Sequence, residues 1–441
     1  MSSDATAVTP KTGQSLAFSQ FEGAVYRKVT WRLVPFLMIC YVTAFLDRVN
    51  VGYAKLQMLD DLKFSNTVFG LGAGMFFIGY FLFEVPSNIA LHKVGARLWI
   101  ARIMVTWGII SACSIFVTTP MWFYMQRFLL GVAEAGFFPG IILYLTYWYP
   151  ANRRAKIIAI FMIAIPISGF IGAPISGGIM QFFAGVQGLP GWKWMFIIEA
   201  LPALVVGIWT MLYLDRGIRD AKWLKEEEKE VLERNIAEET SQKKEHPSLT
   251  ALFTDSRIWL MSWIYFASVM GNLGLIFWMP TIVKALGIKS LFNVGLITAI
   301  PYAVAIVTMV VVGGNSDRTR ERRWYTAGSM FVGGAGLIAS VIAGNSHPVL
   351  AIIALSFAAA GIMTASPIFW SLPTAFLAGT AAAAGIAAIN SVGNLSGFFG
   401  PFIIGWLKDL TNSTASGMYM LAAVQIVGGL TVLTLPRSVN K

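Results

Sequence analysis

Apolar stretches long enough to cross a membrane recur along this chain with little between them. A helix needs roughly 20 mostly apolar residues to span the hydrocarbon core. Stretches of that kind lie at 30–54, 66–91, 98–118, 121–148, 157–184 and 193–214, and after a charged interval at 256–284, 292–313, 326–344, 349–374, 381–407 and 416–435. Within lipid only helices and closed barrels satisfy their own backbone hydrogen bonds. The runs are continuous and do not alternate every second residue as barrel strands do. The expected fold is therefore all-α, a membrane protein of twelve transmembrane helices in two six-helix bundles. Composition agrees: 12% of the residues are charged, about half the share of a soluble domain.

The one long polar interval, 215–255, holds Lys225, Glu226, Glu227, Glu228, Lys229 and Glu230 in succession and is expected to be a solvated helix. The expected organisation is a tail over 1–29, a first bundle over 30–214, a linker over 215–255, a second bundle over 256–435 and a tail over 436–441. Basic residues set the orientation. Arg27, Lys28, Arg32, Lys93, Arg97, Arg153, Arg154, Lys156, those of the linker and Arg318 to Arg323 all fall on one side. Lys55, Lys63, Lys193, Lys284, Lys289 and Lys408 fall on the other. The positive-inside rule places the first group, and both termini, in the cytoplasm. The net charge of +11 is thus spent on topology, and no nucleic-acid partner is expected. Residues 1–20 hold no apolar core of a cleavable signal. Cys40 and Cys113 sit in apolar runs and suggest neither a disulfide framework nor a metal site. The histidines, His92, His246 and His347, lie in loops or at membrane edges, and no protease or nucleophile motif is present, so an enzyme is not expected.

An ionisable group inside a bilayer costs roughly 2.5–3.5 kcal/mol on insertion scales and is a functional candidate for that reason. Asp47, Arg48, Glu84, Arg127, Glu134 and Glu199 qualify, all in the first half. Arg127 and Glu134 are separated by nearly two helical turns, so they share a face about 10 Å apart along the axis. Each needs a partner elsewhere, and Asp47 and Arg48 of span one are the available ones. Arginine carries a permanent charge and binds carboxylates through two hydrogen bonds. Arg48 and Arg127 thus point to a carboxylate anion as ligand, and Asp47 and Glu134 to groups that take up and release protons. Glu84 and Glu199 stand near Pro86 and Pro202 and are read as satisfying backbone groups that the prolines free. The second half offers neutral polar groups: Asn272 on span seven, Trp370 and Ser371 on span ten, Asn390 and Asn394 on span eleven, the last two one turn apart. Tyr80, after a glycine-rich stretch, can turn its hydroxyl to the same cavity. Helix packing is the bland alternative for these neutral residues.

Two bundles of six joined by a polar linker is the layout of the major facilitator superfamily, where substrate binds near the midplane between the halves. Gly313 to Arg318, followed by Arg322 and Arg323, resembles that superfamily's loop motif, and implies a gating role in which Asp317 caps a helix start and Arg318 holds helix ends. Residues 45–52, 79–88, 127–140 and 194–199 together resemble the anion:cation symporter family, closest to its tartrate, phthalate and hydroxyphenylacetate permeases. That resemblance implies proton-coupled uptake of an organic anion in a bacterial inner membrane, with no cofactor beyond the coupling proton. It implies Asp47 and Glu134 for the proton, Arg48, Tyr80, Arg127 and Asn394 for substrate, and a monomer. The apolar run Ile160 to Ile167 departs from the sugar-acid members, which carry an amide there. The rival is an efflux antiporter, suggested by Gly169, Gly172, Pro174, Gly177 and Gly178 on span five.

Overall fold

The computed structural model describes residues 12–241, 256–373 and 379–436. Every regular element among them is helical. In chain order these are α1 (Thr12–Leu62), α2 (Asn66–Val94), α3 (Ala96–Ala112), α4 (Pro120–Glu134), α5 (Phe137–Thr146), α6 (Ala151–Met162), α7 (Ala164–Phe182) and α8 (Gly191–Tyr213). A linker helix, α9 (Glu226–Ser241), precedes α10 (Ser256–Ala285), α11 (Leu291–Thr319), α12 (Arg323–Ala343), α13 (Pro348–Phe369), α14 (Gly379–Asn394), α15 (Ser396–Thr411) and α16 (Ala415–Thr434). Three short 3-10 turns cap α3, α7 and α12.

Among the described residues eleven helical stretches are long and apolar enough to cross a membrane. The expected stretch 381–407 is not among them; it divides at Leu395 into α14 and α15. Span four divides into α4 and α5, and span five into α6 and α7. The break in span four has a clear cause. Ala135 is extended (φ −54, ψ 133), and Gly136 is left-handed (φ 84), a region open to glycine at no steric cost. The freed Ala135 carbonyl accepts the Ser87 hydroxyl at 2.6 Å. Spans five and eleven occupy corresponding places in the two halves, and paired interruptions of that kind mark transporter binding sites.

The halves meet at the end opposite the linker, called here the far end. Gly70 lies against the Pro401 carbonyl and Gly405 against that of Asn66, so α2 and α15 touch backbone to backbone. Gly177 and Gly295 do the same for α7 and α11, against the carbonyls of Leu291 and Ala173. No Cβ fits at any of the four, which is the close approach small residues allow between membrane helices. Asp409, in the last turn of α15, caps α2 from across the seam. It accepts the backbone N–H groups of Asn66 (3.1 Å) and Thr67 (2.7 Å), the Asn66 amide (2.8 Å) and the Thr67 hydroxyl (2.6 Å). A carboxylate at a helix start satisfies its free N–H groups and meets its positive dipole. Lys284 reaches the Leu56 carbonyl at 3.2 Å, and Gln181 accepts Ser290 at 2.7 Å and the Phe292 N–H at 3.0 Å. The far end is closed.

Four expectations need correction. The boundary at residue 29 falls inside α1, whose Val25, Tyr26 and Val29 are buried, with the Tyr26 hydroxyl meeting Asn235 of the linker. The linker's acidic run does form a helix, but α9 is docked: Lys28 pairs with Glu228 at 2.7 Å, Asn235 donates to Glu22 and Tyr26 at 3.2 Å each, and Leu232 is fully buried. Asp317 caps no helix start. It sits exposed in the last turn of α11, paired with Arg322 at 2.5 Å, while Glu321 caps α12 by accepting the Trp324 N–H at 3.1 Å. Arg318 is exposed beside it. Lys55, expected in water, is 3% exposed, its Nζ 2.8 Å from the Trp278 ring centroid across the seam. The ammonium is buried without a hydrogen-bond partner, and cation–π attraction to that ring is what holds it. Of the C-terminal tail, 437–441 lie outside the described residues.

Candidate functional site

The first half builds its site from α1, α2 and α4. Gly79 meets the Phe128 carbonyl and Gly131 meets that of Phe76, so α2 and α4 run in direct backbone contact. That contact sets Phe76 beside Arg127 and Tyr80 beside Arg48. Arg48 of α1 ion-pairs with Glu134 of α4, next to the break at Gly136. Its guanidinium is 4.7 Å from the Phe45 ring centroid, 5.2 Å from Phe76 and 5.7 Å from Tyr80. The Arg127 guanidinium also lies 5.2 Å from the Phe76 centroid. Two fixed positive charges therefore flank one aromatic ring.

Their surroundings differ. The Arg48 side chain is 14% exposed and held by a carboxylate. Arg127 is 1% exposed, and none of its three guanidinium nitrogens has a hydrogen-bond partner. Buried polar groups are almost always hydrogen-bonded, and an uncompensated buried charge costs on the order of 3–5 kcal/mol. Asp47, the partner expected for Arg127, is engaged elsewhere: its Oδ1 accepts Ser111 at 2.9 Å and the Asn50 amide at 3.2 Å. Arg127 is thus a strong donor array with no acceptor.

The second half brings neutral groups, not all equally placed. Asn272 on α10 is half-buried with its carbonyl oxygen unpartnered. Asn390 of α14 donates to Glu84 of α2 at 3.3 Å, joining the halves on the linker side of the site. Asn394 is half-buried at the break in span eleven. Trp370 is committed to packing, its ring 4.7 Å from Tyr265 and 5.5 Å from Phe369; Ser371 follows it, half-buried. Glu84 and Glu199 do not serve the backbone near their prolines. Glu84 bonds Asn390, and Glu199 accepts the Ser176 hydroxyl at 2.7 Å.

Sequence reasoning missed several neighbours. Phe76 is the ring both arginines share. Tyr265 of α10 is buried within electrostatic reach of Arg48 and Glu84. Asn50 bridges to Asp47, and the i, i+3 spacing of the two was visible in the sequence. Among the described residues no cluster of His, Cys, Asp and Glu suits a metal ion. A cavity of about 710 Å³ opens at the linker end, lined by Arg32, Arg97, Tyr213 and Trp223, away from the arginines described above.

The family model described as the Major Facilitator Superfamily matches residues 37–401. A protein of Agrobacterium vitis named "Putative tartrate transporter" is 49% identical over 424 residues, 96% of this chain and 94% of its own. A "Quinolone resistance transporter" of Acinetobacter baumannii is 40% identical over 411 residues, 92% of this chain and 94% of its own. The solved xylose transporter XylE from E. coli, in a partially occluded inward open conformation, shares the fold at a TM-score of 0.72 and 14% identity, covering 92% of this chain and 99% of that one.

Proposed function

The chain belongs to the Major Facilitator Superfamily, a multi-pass membrane transport protein and not an enzyme, and from that premise we propose that it is a symporter that carries a small organic carboxylate inward with protons. One observation carries the reading. Arg127 is a buried guanidinium with three unpartnered nitrogens, and it shares the Phe76 ring with a second arginine. A carboxylate is the ligand whose two oxygens match such a fork. A tartrate-like hydroxy acid is the substrate proposed, its hydroxyls assigned to Asn394 and to Asn272, whose carbonyl oxygen is unpartnered. The relative named for tartrate supports that substrate class; an aromatic acid is the alternative cargo, stacking on Phe76.

Glu134 is the coupling acid in this mechanism. Ionised, it holds Arg48, as in this structure. A proton on Glu134 releases Arg48 to join Arg127 on the substrate. The empty site holds two arginines against one carboxylate; a proton on Glu134 and a dicarboxylate such as tartrate on the arginines leave it without net charge, and an uncharged site crosses the rocking barrier more easily. The linker end is placed in the cytoplasm by its basic residues, in a bacterial inner membrane. The seam closed by Asp409 then faces outside, and the protein rocks as a monomer, with Asp317 and Arg318 at the cytoplasmic gate.

Efflux of a metabolite or drug is the second reading, favoured by the relative named for quinolone resistance. Labelled tartrate uptake into right-side-out and inside-out vesicles under an imposed proton gradient separates the two. Import predicts concentration in right-side-out vesicles when the outside is acidic, abolished by a protonophore. Uptake only into inside-out vesicles establishes efflux instead.

A further inference from the structure

The mechanism above leaves one buried cation without a task. Lys55 is 3% exposed, and its Nζ has no hydrogen-bond partner. Its position repeats that of Arg48. The Arg48 guanidinium lies 5.2 Å from the Phe76 ring centroid, and the Lys55 ammonium lies 5.1 Å from that of Phe69. Lys55 follows Arg48 by seven residues on α1, and Phe69 precedes Phe76 by seven on α2. Each step is nearly two turns, so each pair shares a helix face, about 10 Å apart along the axis. The antiparallel helices α1 and α2 thus carry a second cation-on-ring pair, two turns nearer the far end.

The outer pair differs from the inner one in what covers it. Trp278 of α10 lies over the Lys55 ammonium, which is 2.8 Å from the ring centroid. Lys408 of α15 approaches the same ring at 5.7 Å. Lys284, also of α10, reaches across the seam to the carbonyl of Leu56, the residue after Lys55. Ammonium groups from both halves therefore crowd one closed seam. Two carboxylates at this end are engaged with other donors: Asp409 with Asn66 and Thr67, and Asp61 with Trp192 Nε1 at 3.0 Å. Like charges repel strongly where water does not screen them, and an anion between them relieves that repulsion.

We propose that Lys55, Lys408 and Lys284 form an outer docking site for the carboxylate anion, two turns beyond the arginines and assembled when the far end opens. The site rests on the reading of the chain as an anion importer and adds the step before the arginines. Lys55 and Phe69 belong to the first half, and Trp278, Lys284 and Lys408 to the second. Parting the halves lifts the indole from the Lys55 ammonium, which then faces the gap with three donors and no acceptor of its own. A carboxylate entering the gap meets it there, with Lys408 opposite. Closure brings Trp278 back over Lys55, and cation–π attraction replaces the anion. The next cation inward on the same face of α1 is Arg48. Gly52, between the two, lets the seam close fully: a Cβ there has no room against the carbonyls of Ile276 and Phe277 on α10.

Only the second arm of the test needs transport. In the first, right-side-out vesicles holding the full-length protein are treated with a membrane-impermeant acetylating reagent, and modification of Lys55 is read by peptide mass spectrometry. External tartrate is expected to slow it several-fold, and the uncharged diamide of tartaric acid to leave it unchanged. That protection is expected to persist in Arg127→Gln, which lacks the central guanidinium, and to weaken in Lys408→Gln. A Lys55 that is never modified, equal protection by the diamide, protection that vanishes in Arg127→Gln, or protection undiminished in Lys408→Gln overturns the proposal. In the second arm, Lys55→Met keeps an apolar stem against Trp278 but no charge. It is expected to raise the external KM for tartrate uptake about ten-fold, as loss of one hydrogen bond to a charged group does, and Lys55→Arg to bring it back toward wild type. An unchanged KM in Lys55→Met with only the maximal rate altered makes Lys55 a seam latch alone and overturns the docking site. If wild type takes up no tartrate, the transport reading fails for that anion and the labelling arm decides alone.

Discussion

The two halves share a fold but divide the chemistry. Every buried charged residue among the described ones, Asp47, Lys55, Glu84, Arg127, Glu134 and Glu199, lies in the first half. The second half buries only neutral polar groups, such as Ser268, Thr298, Thr364 and Gln425, and much of that polarity is spent on its own helices: Gln425 donates to the Ala267 carbonyl at 2.5 Å and Ser268 meets Ser366 at 2.9 Å. A rocking mechanism explains why such asymmetry is tolerable. Charges inside a membrane are costly unless they are paired or used; in the first half Glu134 is paired with Arg48, while Arg127 is left open for a ligand. The neutral half then slides over them without carrying bare charge through lipid.

That contrast can be broken in order of expected effect. Arg127→Ala removes the unpartnered guanidinium and is expected to lower tartrate uptake by about 100-fold or more, the scale for truncating one member of a buried charged contact; uptake within a few-fold of wild type would show that the charged half does not hold the anion. Glu134→Gln is expected to keep labelled exchange while losing accumulation against a gradient, because an amide cannot ionise; normal accumulation assigns coupling elsewhere. Asp409→Ala deletes a cap reaching from the neutral half to the charged one. A cap is worth about 1 kcal/mol, so the closed-to-open ratio at the far end is expected to fall roughly five-fold, read by labelling of a cysteine placed at the buried Thr298; unchanged labelling would leave the cap no share in closure. Asn394→Ala is expected to raise the KM for tartrate about three- to ten-fold, as the loss of one hydrogen bond does, and to leave the proton-to-anion ratio alone.

Much of this was legible in the sequence for physical reasons. Apolar run length reports spans directly, and an intramembrane charge announces itself by its cost. Hence Asp47, Arg48, Arg127 and Glu134 stood out, and Arg48 and Glu134 do meet. What stayed hidden depends on distant chain segments. Lys55 looks like a loop residue until Trp278 folds over it. Asp409 looks like an end-of-helix acid until α2 arrives from 343 positions away. The expected Arg127–Asp47 contact failed because Ser111 and Asn50, both neutral, satisfy Asp47 instead. The docking of α9 was invisible for a similar reason: its acidic face pairs with Lys28 on an α1 that extends well below the membrane core.

A calorimetric titration of the purified protein with tartrate and, separately, with the uncharged diamide of tartaric acid isolates the role of fixed charge, since the two ligands keep the same hydroxyls. Strong binding of tartrate, none of the diamide, and loss of tartrate binding in Arg127→Gln is the result expected here. Equal affinity for acid and diamide, or tartrate binding undiminished in that variant, would contradict the claim that the arginines of the first half recognise an anion.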